Sequence, residues 1–213
     1  MNDLDLRGRQ ALTYLLPDID FDEGGALVRS PLTGTEIGRL RTTTAEDMDD
    51  VFATARRTQR QWAALSFEER RDRVLNFHDL VFDDRWALLD LIQWETGKSR
   101  GAAFEEIADV AINARYYARK AQTILADEKV KGAMPLLTKA VINRQPKGVV
   151  AVISPWNYPL TLTASDAIAA IMAGNAIVLK PDSLTPFTAL AVKALLERAG
   201  LPRDLFQVVV GAG

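Results

Sequence analysis

Residues 148–159 read GVVAVISPWNYP. The apolar run Gly148–Ile153 predicts a buried strand. Two prolines, a tryptophan and an asparagine then make a turn, Ser154–Pro159, in which Pro155 and Pro159 stiffen the backbone around Asn157. Past the turn, a helix is predicted from Leu160 to Ala173 and a strand over AIVLK, residues 176–180. The turn PDSLTP follows at 181–186, then a helix from Phe187 to Ala199 and a strand over FQVVV, residues 206–210, ahead of closing glycines. This is β-α-β-α-β. Its strands are continuous apolar runs, as in a parallel sheet covered on both faces, so the fold class is α/β.

Ligands of open parallel sheets bind beyond the carboxyl ends of the strands. Three such ends are available: Ser154–Asn157, Lys180–Ser183 and Gly211–Gly213. Asn157 has two readings: a turn residue bonding its own backbone, or an amide N–H donor aimed at an oxygen that gains negative charge. Lys180, at a strand end ahead of Pro181, either reaches solvent or holds an anionic or polyhydroxyl ligand such as a nucleotide ribose or phosphate.

Upstream, GALVRSPLTGTEIGRL (25–40) predicts two short strands about a turn punctuated by Pro31 and Gly34. Thr44 with Asp47, and Ser66 with Glu69, have the spacing of capping boxes and open two helices. A third helix spans Arg85–Thr96 and stops at Gly97. A fourth starts near Ser99, with Ala103, Ile107, Val110, Ala114 and Tyr117 on one face. TGKS (96–99) imitates the end of a phosphate-binding loop, but no glycine stands five residues before Gly97 and no strand precedes it. It is read as a glycine C-cap followed by a serine N-cap. DEKVKGAMPLL (127–137) has no helical period and is read as a connector; Thr138–Ser154 is predicted to be extended, broken at Pro146 and Gly148.

The 213 residues are 48% apolar and 25% charged, with net charge −2, the balance of an ordinary globular protein. Lys and Arg form no block that would suit a nucleic acid, and no apolar run approaches a membrane span. The polar start MNDLDLRGRQ is not that of a secretory signal, so a cytoplasmic location is expected. The absence of cysteine excludes thiolate metal sites, disulfides and cysteine nucleophiles within these residues. His78 is the only histidine, set among Val74, Phe77 and Val81 on a helical face, and is read as partly buried and satisfied. No metal site and no His-dependent triad is expected.

The combination GVVAVISPWNYPL…AGNAIVLKPDSLTP…AGLP…VVVGAG resembles the aldehyde dehydrogenase superfamily, and SPLTGTEIG (30–38), ETGKS (95–99) and QPKGVV (145–150) extend the resemblance over almost the whole chain. Its tone is most like bacterial succinate-semialdehyde dehydrogenases. The resemblance implies roles. Asn157 matches the asparagine whose amide holds the oxyanion of the thiohemiacetal. Ile153, Ser154, Pro155 and Trp156 match the segment along the cofactor. Lys180, in a turn with Pro181 and Asp182, matches the lysine that binds the adenosine ribose, and Gly213 a glycine beside the adenine end. Ser183 stands where many NAD-preferring members carry a glutamate that repels a 2′-phosphate, which points to NADP, with NAD possible.

Departures shape the expectation as well. The family's nucleophilic cysteine, its general-base glutamate and its pyrophosphate turn all follow beyond residue 213. The resemblance therefore implies an N-terminal part of such an enzyme, inactive by itself, with the catalytic domain absent. Residues 1–127 are its helical part, 128–147 a connector and oligomerisation arm, and 148–213 the first half of a Rossmann-like NAD(P)-binding sheet. The arm, 138–149, implies a homo-oligomer; the implied partner is a small aldehyde, with neither nucleic acid nor membrane. Matching succinate-semialdehyde members carry a carboxylate-pairing arginine six residues after the second proline of the turn. Here that position is Ser165, followed by Asp166, which leaves another aliphatic or aromatic aldehyde as an alternative. A non-catalytic nucleotide-binding or assembly module is the alternative of a different class.

Overall fold

The structure, a computed structural model, describes residues 2–134 and 137–212. Its first helix, α1 (Asp3–Leu15), is one the sequence reading does not foresee. Asn2 caps it, accepting from Asp5 N at 2.8 Å. Gly8 lets it lie flat on the Trp94 ring, where a Cβ would stand 2.3 Å from Cδ2. The buried Asp5 carboxylate accepts from Trp94 Nε1 at 2.9 Å, Thr33 Oγ1 at 2.8 Å and Thr35 Oγ1 at 3.0 Å, and so ties α1 to the turn of the first hairpin. That hairpin pairs β1 (Ala26–Arg29) antiparallel with β2 (Glu36–Leu40).

Both expected capping boxes are present. Thr44 and Asp47 start α2 (Ala45–Ala63), and Ser66 and Glu69 start α3 (Phe67–Asp83). α4 (Arg85–Thr96) ends at Gly97, whose φ of 75° is left-handed, and Ser99 caps α5 (Arg100–Leu125) by accepting from Ala102 N. His78 is half-buried, bonded to Asp79 at 2.8 Å and set edge-on to Phe82. The stretch read as a connector needs correction. It contains β3 (Glu128–Lys131), paired antiparallel with β4 (Lys139–Ile142). All four β3 side chains are exposed, so no buried apolar alternation marks the strand in the sequence.

The parallel sheet runs in the order β5 (Val149–Ser154), β6 (Ala176–Pro181), β7 (Phe206–Val208). α6 (Pro159–Met172) and α7 (Pro186–Arg198) make the crossovers. Each helix begins one residue earlier than expected, at a proline, because a fixed φ near −65° suits the first helical position. Ser154 meets Thr163 of α6, while Ile153, pointing the other way, shares a groove with Met48 and Phe52 of α2. The sheet is therefore covered by α6 on one face and α2 on the other, and central β6 is buried along nearly its whole length. Trp62 of α2 is fully buried and donates from Nε1 to Ile171 O at 2.8 Å, locking α2 to the end of α6. No helix among the described residues is long and apolar enough to cross a membrane.

Neither α6 nor α7 has a local side-chain cap. Two buried glutamates from other helices serve instead. Glu106 of α5 accepts from Leu160 N at 2.9 Å and Thr161 N at 3.1 Å. Glu95 of α4 accepts from Phe187 N at 2.6 Å, Thr188 N at 2.8 Å and Thr188 Oγ1 at 2.5 Å. Glu106 pairs with Lys98, whereas Glu95 has no ion-pair partner among the described residues. Burial pushes the Glu95 carboxyl up to about 7, against the downward pull of its three donors. Between the ordinary value near 4.5 and about 7, the folded protein thus binds the extra proton, and stability falls as pH rises through that window. Urea unfolding of wild type and Glu95→Gln should diverge by about 3 kcal/mol across it. A free-energy difference between the two that is equal at pH 4.5 and pH 7.5 would show the assignment to be wrong.

Candidate functional site

The three strand ends lie side by side. Parallel register sets Ile153 against Lys180 and Ser154 against Pro181, and Asp182 N donates to Ser154 O at 2.9 Å. Val209 N donates to Leu179 O at 2.8 Å, and Val210 is tied to the loop before α2 by Thr43 N to Val210 O at 2.7 Å and Val210 N to Thr43 Oγ1 at 3.1 Å. Between these ends and α2 lies a groove of about 290 Å³, lined by Met48, Phe52, Ile153, Lys180, Val209 and Gly211 among others. Its lining side chains are apolar apart from Thr43 and Lys180. A larger cavity of about 370 Å³, bounded by the end of α1, by β2 and by α7, shares only Val210 with it.

The predicted site residues separate by orientation. Ile153, 79% exposed, and Trp156, 53% exposed, stand out from the strand end with Pro155 and Asn157. The Asn157 side-chain amide makes no hydrogen bond among the described residues, so it is not spent on its own turn. Ser154 is buried and its Oγ accepts from Thr163 Oγ1 at 3.1 Å, so its side chain faces α6 and not the groove. Pro181 is buried too. Lys180 Nζ has one bond among the described residues, to Pro181 O at 3.2 Å, and no carboxylate partner. Asp182 is half-buried, its Oδ1 accepting from Leu184 N at 2.9 Å, while Ser183 is exposed. Gly213 lies outside the described residues.

Lys98 is the residue sequence reasoning missed, because GKS was fully explained as two helix caps. Its ammonium pairs with Glu106, donates to Asn157 O at 2.7 Å and lies 4.4 Å from the centre of the Tyr158 ring. The signal for it is faint: a lysine directly after a C-cap glycine, eight residues ahead of a glutamate on a buried helical face.

A sequence profile of the Aldehyde dehydrogenase family matches residues 21–213. The chain belongs to the aldehyde dehydrogenase family. Among its relatives, a Mycolicibacterium smegmatis protein named "putative succinate-semialdehyde dehydrogenase (NADP+)" is 52% identical over 87% of this chain, which spans 36% of that protein. The glutarate-semialdehyde dehydrogenase of Pseudomonas aeruginosa is 34% identical over 91% of the chain and 40% of its own length. Among solved structures, succinate-semialdehyde dehydrogenase from Burkholderia pseudomallei superposes with a TM-score of 0.83 at 31% identity, covering 87% of this chain and 38% of that one. An Escherichia coli NADP-dependent enzyme does so with a TM-score of 0.86 at 31% identity, over 92% and 40%. The chain thus spans about two-fifths or less of the aldehyde dehydrogenases it matches, and its α/β fold is theirs.

Proposed function

We propose that the chain is the cofactor-side portion of an NADP-preferring aldehyde dehydrogenase acting on succinate semialdehyde. The observation that carries this reading is the Asn157 amide. It has no partner among the described residues, and it stands in a proline-stiffened turn directly after the strand whose Ile153 lines the groove with Lys180. In this reading the amide N–H donates to the aldehyde oxygen as negative charge develops there.

The residues of the groove fit the adenosine end of a dinucleotide. Ile153 and Val209 offer apolar surface to a base, and Lys180, with no competing carboxylate, suits ribose hydroxyls or a phosphate. Pro155 and Trp156 would lie along the cofactor, with Ser154 and Pro181 shaping the strand ends from below. NADP supplies the acceptor for the hydride. Ser183 carries no charge, so its position holds no carboxylate to oppose a 2′-phosphate, and the neighbouring Asp182 has one oxygen engaged by Leu184 N. Gly213 keeps its adenine-end assignment from sequence alone. The same reading keeps the divisions 1–127, 128–147 and 148–213, and homo-oligomer formation through 138–149. That last element is supported by the exposed Val141 and Ile142.

One observation favours a second substrate class. At the position where an arginine would pair with a substrate carboxylate, Ser165 Oγ donates to Asp109 Oδ2 at 3.1 Å. A carboxylate there disfavours an anionic aldehyde, so an uncharged aliphatic or aromatic aldehyde is the alternative.

The test is aldehyde-dependent reduction of NADP and NAD by the full-length protein, with succinate semialdehyde and benzaldehyde compared by kcat/KM. The 213-residue chain, which holds no cysteine, is the control and should be inactive. NADP should be used at least as well as NAD, and Ser183→Glu should shift preference to NAD. Turnover by the 213-residue chain, or strong wild-type discrimination against NADP, would overturn the corresponding part of the reading.

A further inference from the structure

Lys98 is more tightly engaged than a surface lysine. Its side chain is 14% exposed, and its three N–H donors have three destinations: the Glu106 carboxylate, the Asn157 carbonyl at 2.7 Å and the face of Tyr158. Its backbone is held as well. Lys98 N donates to Thr96 Oγ1 at 3.3 Å, and Lys98 O accepts from Gln93 Nε2 at 3.3 Å. The ammonium therefore projects from the fixed C-terminal cap of α4. Its anchor on the far side, Glu106, is fully buried and bonded through Oε2 to the first turn of α6.

The Asn157 carbonyl belongs to the peptide unit that links Asn157 to Tyr158. Gripping that oxygen fixes the plane of the unit, and with it the ψ angle of Asn157 and the direction of its Cα–Cβ bond. Pro155 and Pro159 stiffen the backbone on either side but leave this peptide free to turn. Helix α6 alone does not hold it, since α6 begins after Tyr158 and that residue supplies no side-chain cap. The two helices that follow strand ends differ on this point: both are capped by a buried glutamate, but among the described residues only the turn carrying Asn157 has a cation tying cap to turn.

We propose that Lys98 is a positioning residue for the Asn157 amide, gripping the Asn157 carbonyl from the Glu106 ion pair so that the side chain keeps one direction. This rests on the oxyanion role given to Asn157 above. A misplacement on the scale of an ångström costs on the order of 10²-fold in rate, so loss of this grip should appear in kcat.

The experiment has two arms. In the 213-residue chain, Lys98→Met should speed hydrogen exchange of the backbone amides of Trp156–Leu162 and leave those of α2 and α3 unchanged. In the full-length protein, the same change should lower kcat by roughly 10- to 100-fold with the aldehyde KM within about twofold, and Lys98→Arg should recover part of the loss. A purely structural role would instead lower the folded fraction, seen by circular dichroism, without this split. Lys98→Met strands a buried carboxylate, so Lys98→Met/Glu106→Gln, which removes both charges, serves if the single variant does not fold. Unchanged exchange at Trp156–Leu162, or an unchanged kcat where Asn157→Ala lowers it, overturns the proposal. If Asn157→Ala also leaves kcat unchanged, the oxyanion reading is what fails, and the positioning role falls with it. The exchange arm then still decides whether Lys98 holds the turn.

Discussion

Asn157→Ala in the full-length protein is expected to lower kcat by roughly 10²–10³, the usual cost of losing one oxyanion donor. The expectation is specific because the side chain does nothing else in the fold. Asn157 is exposed, its amide bonds no described group, and the contact that holds its peptide is made by its backbone carbonyl, which alanine keeps. Thermal stability should therefore barely move while the rate collapses. Cofactor affinity, followed by quenching of tryptophan fluorescence, should also stay near the wild-type value, because the groove with Lys180 is lined without Asn157. A kcat within a few-fold of wild type, with the protein folded, would remove Asn157 from the chemistry.

Trp62→Ala should cost about 3–5 kcal/mol of stability, the range for emptying a buried large aromatic site. Trp62 is fully buried, Arg73 lies 5.7 Å from its ring centre, and its indole N–H is spent on Ile171 O at 2.8 Å. The truncation opens a cavity between α2 and the end of α6 and removes the indole donor to Ile171 O, which keeps its bond from Gly174 N at 2.9 Å. Domains have only about 5–15 kcal/mol in hand, so a large part of the folded population at moderate urea should be lost. Trp62→Phe keeps most of the volume and should cost clearly less. Urea midpoints of the three proteins at one pH measure both steps, and equal midpoints for wild type and alanine would contradict the packing described.

What was legible from residues alone was what is local. Thr44 with Asp47 and Ser66 with Glu69 act within one turn of chain, so the helix starts are visible in the sequence. The strands around GVVAVI and AIVLK are visible because burial on both faces makes them uniformly apolar. α1 was missed because its buried face contains Gly8 and Asp5, a poor helix former and a charge, which are explained by Trp94 and, for Asp5, by Thr33 and Thr35, all far along the chain. β3 was missed because an exposed hairpin has no face to mark. The caps of α6 and α7 were invisible for the same reason as Lys98: Glu106 and Glu95 meet backbone amides more than fifty residues away. At the site, the three strand-end turns were legible as candidates, but their side-by-side placement and the inward turn of Ser154 required the sheet register and Thr163.

The segment Glu95–Lys98 touches the starts of both crossover helices. Glu95 grips the first turn of α7, and Lys98 reaches the entry to α6 through Glu106 and Asn157 O. The gap between the two strand-end turns is therefore gauged from outside the sheet, by four consecutive residues acting like the jaws of a caliper. Inserting or deleting one residue in that segment would leave the strands in register and still change the span a ligand has to bridge.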